Sequence, residues 1–94
     1  MEIDILGITY KVIEVEQVDK TNYLVDGEID YDKQTISIKK SLSKERKTEI
    51  LWHEIIHGIC EHLQIEDIQK NEHLVQCLGN AIYQVHKRNK IISF

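Results

Sequence analysis

The hydrophobic repeat of this chain changes once, just after Lys40, and that change constrains the fold more than any other feature. Before it, apolar residues recur at every second position, the period of strands with one buried face. After it they recur about every 3.6 residues, the period of amphipathic helices. Strands first and helices second make an α+β arrangement, in which a sheet and helices cover each other's apolar faces. At 94 residues and 41% hydrophobic composition, the chain can build one domain around one modest core, with no second lobe.

In the first half, residues 2–6 alternate polar and apolar, and the pattern resumes after Gly7 through Ile8, Tyr10, Val12, Ile13 and Val15. This predicts one or two strands, with a bulge where the parity shifts near Val12-Ile13. A polar turn at 19–22 precedes Tyr23-Leu24-Val25 and a second turn at Asp26-Gly27. Residues 28–31 and 35–39, joined by Asp32-Lys33-Gln34, form the clearest hairpin. The second half predicts a helix from about 43 to 63, with Ser41 or Ser43 as its cap, and a connection from Gln64 to Gln69. A second helix runs from about 68 to 90. The expected architecture is a small twisted antiparallel sheet, two antiparallel helices on one of its faces, and one core between them.

The first helix carries His53-Glu54-Ile55-Ile56-His57, an H-E-x-x-H sequence. Residues four apart share a helix face, so His53 and His57 can present two imidazole nitrogens to one ion. Glu54 lies about 100° round from His53, beside such an ion rather than on it. Two neutral nitrogens at this spacing suit Zn²⁺, and the adjacent carboxylate suits the general base of a metallopeptidase. On a helical wheel Trp52, Ile55, Ile56, Ile59 and Leu63 form one apolar arc, while His53, Glu54, His57 and Glu61 fall on the other side with Ile50 among them. One face is thus expected to meet a core and the other to build a polar site.

Two histidines need a third protein ligand, with the fourth position left for water. Glu61 extends the same helix, but three ligands in one straight column do not converge on one ion. Glu72, fifteen residues after His57 and near the start of the next helix, offers better geometry. Taken alone, it would more commonly serve as a first-turn acid that complements the helix dipole. His73 is its main competitor, followed by Asp67 and Glu66 in the connection. Gln76, one turn after Glu72, can orient a ligand or equally make a simple interhelical polar contact, and Gly79 would let the two helices approach closely. On the second helix Asn71, Leu74, Val75, Leu78, Ile82 and Val85 form the apolar arc. His62 reads as solvated, and Tyr83 as a packing residue with a wet hydroxyl.

Composition narrows the partners. The net charge of -4, with acids and bases interspersed, gives no nucleic-acid or anionic-membrane footprint. The short basic patch Lys87-Arg88-Asn89-Lys90 is explained by a helix C-terminus that favours cations. No apolar run approaches the ~20 residues needed to span a bilayer, and the acidic start Met1-Glu2-Ile3-Asp4 does not read as a secretory signal. Cys60 and Cys77 do not make a disulfide framework; two small buried side chains in a cytoplasmic protein are expected, with a bridge between packed helices as the alternative.

With these residues in place, the chain resembles the gluzincin metallopeptidases in their most reduced form, the minigluzincins, and the related ImmA/IrrE-type proteins of phages and mobile elements. The resemblance covers the strand pair at 28–40, His53-Glu54-Ile55-Ile56-His57, and Glu72-His73-Leu74-Val75. It implies a minimal zincin-like domain with Zn²⁺ held by His53, His57 and Glu72, and with Glu54 as general base. It also implies Thr35 to Ile38 as a rim strand to which an extended peptide adds. The activity it implies is peptide hydrolysis by Glu-assisted attack of zinc-bound water. Gln76 stands where the family has an acid, and no second lobe supplies an oxyanion-stabilising His or Tyr, so weak or narrowly specific proteolysis is expected. Two other readings stand beside it: a catalytically silent zinc-stabilised module that binds a partner protein, and a metal-free interaction domain. Small size and an edge strand allow a homodimer or a protein partner.

Overall fold

The structure, a computed structural model, describes residues 1–89. Lys90, with which the expected second helix and basic patch end, lies outside the described residues. The fold is α+β. Strands β1 (Glu2–Ile5), β2 (Ile8–Val15), β3 (Gly27–Asp30) and β4 (Thr35–Lys39) are followed by helices α1 (Lys44–Leu63), α2 (Glu66–Gln69) and α3 (Glu72–Arg88).

β1 and β2 form a hairpin around the two-residue turn Leu6-Gly7, both with positive φ (53° and 90°). That conformation matches the right-handed twist of the flanking strands, and Gly7 adopts it without a Cβ penalty. The 28–31/35–39 hairpin is present as β3 and β4, with Ile29 opposite Ile36. The sheet order is β1-β2-β4-β3, and β2 pairs with β4 in parallel. The sheet is therefore mixed, and the expectation of an antiparallel sheet is corrected. Residues 16–26 carry the chain past the position beside β2, so that β3 takes the edge and β4 returns into the gap. Lys39 fixes this crossing: its buried ammonium meets the Tyr23 carbonyl, lies 3.9 Å from the Tyr23 ring centre and sits 3.7 Å from Asp26 Oδ1. The bulge expected near Val12-Ile13 is absent. The register runs unbroken from Lys11↔Thr35 to Val15↔Lys39, and Ile13 stays 40% exposed.

The helices also stack differently from the expected pair on one sheet face. α1 lies against β1, β3 and β4, whereas α3 packs on α1 and α2 and does not reach the sheet. The molecule has three layers, and its apolar interior is two clusters instead of one. Ile5, Tyr10, Ile36, Ile38, Ile50 and Ile55 fill the space between sheet and α1. Ile56, Cys60 and Val75 fill the smaller space between α1 and α3, with Ile68 and Leu78 packed against them. This explains Ile50, which the wheel leaves among polar neighbours: α1 is a middle layer, and its 50–54–58 stripe faces strands. It also explains why the expected apolar arc of α3 is largely open. Val75 is fully buried, but Leu74, Ile82 and Val85 are exposed, because only one side of α3 has a neighbour. Leu63, at the end of the α1 arc, is likewise exposed. Among the described residues, no helix is long and apolar enough to cross a membrane.

Candidate metal centre

The site forms where α1, α2 and α3 meet. Ser43 caps α1, its hydroxyl accepting from the Arg46 N–H at 3.1 Å, and the helix then runs twenty residues without a break. That continuity keeps His53 and His57 on one face, with ring centres 4.9 Å apart. At the far end Gln64 adopts the left-handed conformation (φ 57°), and its N–H closes onto the Cys60 and Glu61 carbonyls. The chain turns back through α2, and Asn71 caps α3 by accepting from the Leu74 N–H at 3.0 Å. Glu72 is therefore the first residue of α3, placed opposite the two histidines.

His53 Nε2 lies 3.1 Å from Glu72 Oε2, and His57 Nε2 lies 2.6 Å from Glu72 Oε1. One ligand atom from each of His53, His57 and Glu72 falls within 4.8 Å of the others, so the three can hold a metal ion. Tetrahedral ligands about 2.0–2.1 Å from an ion stand roughly 3.3 Å from one another, so Glu72 needs to retreat by less than about 1 Å. It is free to do so, since its side chain is 71% exposed while those of His53 and His57 are 13% and 14% exposed. The pocket has two fixed walls and one open side.

The Nδ1 atoms of both rings are engaged. His53 Nδ1 lies 2.8 Å from Gln76 Oε1, and His57 Nδ1 lies 2.8 Å from Gln69 Oε1. With the carboxamide oxygens so placed, each Nδ1 meets an acceptor and each Nε2 faces the ion site. Gln76, one turn after Glu72, thus joins α3 to the His53 ring on α1. The sequence assigns Gln69 no role beyond ending the connection, because it closes a four-residue helix with no apolar period to fix its direction. Its only signal is its place in the connection between the two ligand helices.

Gly79 faces α1 directly behind His53. A Cβ built on it would stand 3.2 Å from His53 N, 3.3 Å from His53 Cα and 3.5 Å from Trp52 C. The helices touch backbone to backbone at this point, as the glycine predicts, and the contact brings α3 within reach of the histidines.

Glu54 does not stand on an open polar face. It is only 7% exposed, between α1 and β3, in contact range of Gly27 and within hydrogen-bonding reach of the Ile29 backbone. Burial pushes its carboxyl above the usual range, and the charges of His53 and His57 pull the other way, while Glu72 adds to the rise. Glu54 is thus close enough to feel all three members of the cluster.

The competing ligands lie elsewhere. His73 points away from the cluster, with Nε2 3.6 Å from Cys77 Sγ on the exposed side of α3. Glu66 and Asp67 line an open cleft at the end of α1 and do not join the histidines. His62 is exposed, as expected, and is also tied down: Nε2 lies 2.7 Å from the Tyr10 hydroxyl, and its ring leans on Tyr10 and Tyr31. Tyr83 is half-buried, with the Lys87 ammonium 5.7 Å from its ring centre. Trp52 is partly buried against the sheet-side cluster and 5.5 Å from the His86 ring. Cys60 is buried, Cys77 is exposed, and both are free thiols. The strand Thr35 to Ile38 is not a rim: β4 is paired on both sides, and the sheet edges are β1 and β3, of which β3 lies more fully against α1.

No protein-family model, curated protein or solved structure matches the chain.

Proposed function

We propose that this chain is a zinc-dependent metallopeptidase of the minimal gluzincin kind, cleaving peptide bonds slowly or with narrow specificity. The observation that carries the reading is the convergence of His53, His57 and Glu72 on one point, with both imidazole Nδ1 atoms already occupied. Two imidazoles and one carboxylate, with an open fourth side, are the donor set of catalytic zinc. Zinc, when bound, supplies Lewis acidity that polarises a peptide carbonyl and acidifies a water.

The chain's own residues supply the rest. Glu54, one residue from His53, takes the proton of the attacking water and passes it to the departing amine. Burial favours this by raising the affinity of its carboxylate for a proton. An extended substrate lies along β3, the edge strand next to α1, and pairs with its backbone; side-chain selectivity is then low and reach is short. The H-E-x-x-H spacing and the position of Glu72 support the gluzincin assignment, and a cytoplasmic setting fits two free thiols.

One observation favours a second reading, a zinc-stabilised interaction module without turnover. Glu54 is buried against β3, and a carboxylate there can serve simply to tie helix to strand. The two readings part on Glu54→Gln, which preserves shape and hydrogen bonding. Zinc content is measured on protein purified without added metal, and hydrolysis on a mixed-sequence peptide library read by mass spectrometry. The peptidase reading expects about one zinc per chain in parent and variant, with cleavage reduced at least a hundredfold in the variant. Equal cleavage by both proteins, or a parent that takes up no zinc when supplied, refutes it.

A further inference from the structure

Tyr31 follows β3 directly and stands outside the metal-ligand set, yet its hydroxyl closes a ring of hydrogen bonds on His57. Gln69 Nε2 donates to the Tyr31 oxygen at 2.9 Å. The Tyr31 hydroxyl donates to the His57 backbone carbonyl at 3.4 Å, the longest link. Gln69 Oε1 accepts from His57 Nδ1 at 2.8 Å. The circuit therefore leaves His57 through its ring and returns to it through its backbone.

The direction of this circuit follows from its one hydroxyl proton. A carboxamide presents an acceptor at one end and a donor at the other, and it can turn over. With the Tyr31 proton committed to the His57 carbonyl, the phenol oxygen facing Gln69 accepts. Gln69 must then present its NH₂ to Tyr31 and its oxygen to His57, so Nδ1 carries the proton and Nε2 is left with the lone pair that a metal needs. His53 has no such constraint. Its partner Gln76 is joined in turn to Asn80 at 3.1 Å, and Asn80 is itself an exposed carboxamide. Gln76 and Asn80 can turn over together and keep their mutual bond, so that chain fixes no polarity.

We infer that Tyr31 is a positioning residue that sets the orientation of Gln69, and through it the metal-binding tautomer of His57. The inference rests on the metal-centre reading above. It also links the edge strand to the site, because Tyr31 is the next residue after β3.

The test is a rescue. Tyr31→Phe keeps the ring and removes the hydroxyl, so Gln69 loses its orientation. Gln69→Glu puts at the same place a carboxylate, which only accepts, so His57 Nδ1 must donate whether or not Tyr31 is present. Zinc affinity is measured by chelator competition, Co²⁺ absorption reports the ligand field, and thermal unfolding of the metal-free protein reports the fold. Tyr31→Phe alone should weaken zinc binding about tenfold and alter the Co²⁺ spectrum. The same change in the Gln69→Glu background should cost less than about twofold, with the spectrum restored. An equal loss in both backgrounds, or a loss matched by a lower melting temperature of the metal-free protein, makes Tyr31 a structural residue and overturns the inference. Unchanged affinity overturns it too. A parent protein that binds neither metal removes the reading on which it rests, an outcome distinct from a parent that binds zinc while Tyr31→Phe changes nothing.

Discussion

Gly79→Ala is the sharpest probe of how this site is held together, because two effects of similar size act on it with opposite signs. Alanine is the better helix former by about 0.8–1.0 kcal/mol, and Gly79 lies mid-way along α3. Against this stands the new methyl, 3.2 Å from His53 N and 3.3 Å from His53 Cα. Both neighbours are backbone atoms of α1, which cannot rotate aside, so one helix must move by a few tenths of an ångström. Overpacking of this kind costs about 1–3 kcal/mol. The sum is a net loss of about 1 kcal/mol, or roughly 4–8 °C in melting temperature for a domain of this size. Gly58→Ala is the control. Its methyl would come closer, 2.8 Å from Ile5 Cδ1 and 3.1 Å from Ile29 Cδ1, but both atoms are the free ends of flexible side chains. Rotamer adjustment should bring that variant near neutrality. Denaturant unfolding of the metal-free variants measures both quantities, and zinc competition should show weaker binding in Gly79→Ala only. A stabilised Gly79→Ala protein with unchanged zinc affinity would refute the claim that backbone contact sets the helix spacing.

Two further outcomes follow from burial and charge. Cys77 should react at once with a thiol reagent in the native protein, and Cys60 only with unfolding, since Cys60 is 3% exposed and burial pushes its thiol up; equal rates would contradict the α1–α3 packing. Burial, aided by the nearby Glu61, also raises the Tyr10 phenol above 10.0, and burial raises that of Tyr31 against the opposing Gln69 hydrogen bond. The folded state then keeps protons that the unfolded chain releases, so stability should be full below pH 10.0 and fall as pH rises above it. Phenolate absorbance together with alkaline unfolding checks this, and constant stability across that range would count against the buried placement of Tyr10.

Much of the site is legible in the sequence because helices convert spacing into direction. His53 and His57 meet by the i, i+4 rule, and Glu72 meets them because a short connection forces an antiparallel return. Gln76 and Gly79 follow from Glu72 by the same period. What stays hidden has physical reasons. Alternation at Val12 and Ile36 is identical whether their strands run parallel or antiparallel, so the β2–β4 pairing cannot be read from it. A wheel separates apolar from polar but does not count layers. Glu54 therefore looks like part of an open site face, although it lies against the sheet. Gln69 and Tyr31 are joined only through tertiary contact, 38 positions apart, and nothing local connects them.

The three-layer order has a thermodynamic consequence. The sheet-side cluster is complete without α3, which is held on α1 by a smaller buried cluster, the backbone contact at Gly79 and the His53–Gln76 and His57–Glu72 hydrogen bonds. Separation of the outer helix therefore leaves the sheet-side cluster intact, a partial opening that costs less than global unfolding. An ion held by His53 and His57 on one layer and Glu72 on the next would bridge the seam between α1 and α3. Its binding free energy and the docking of α3 are then one linked quantity, in which each gains from whatever strengthens the other.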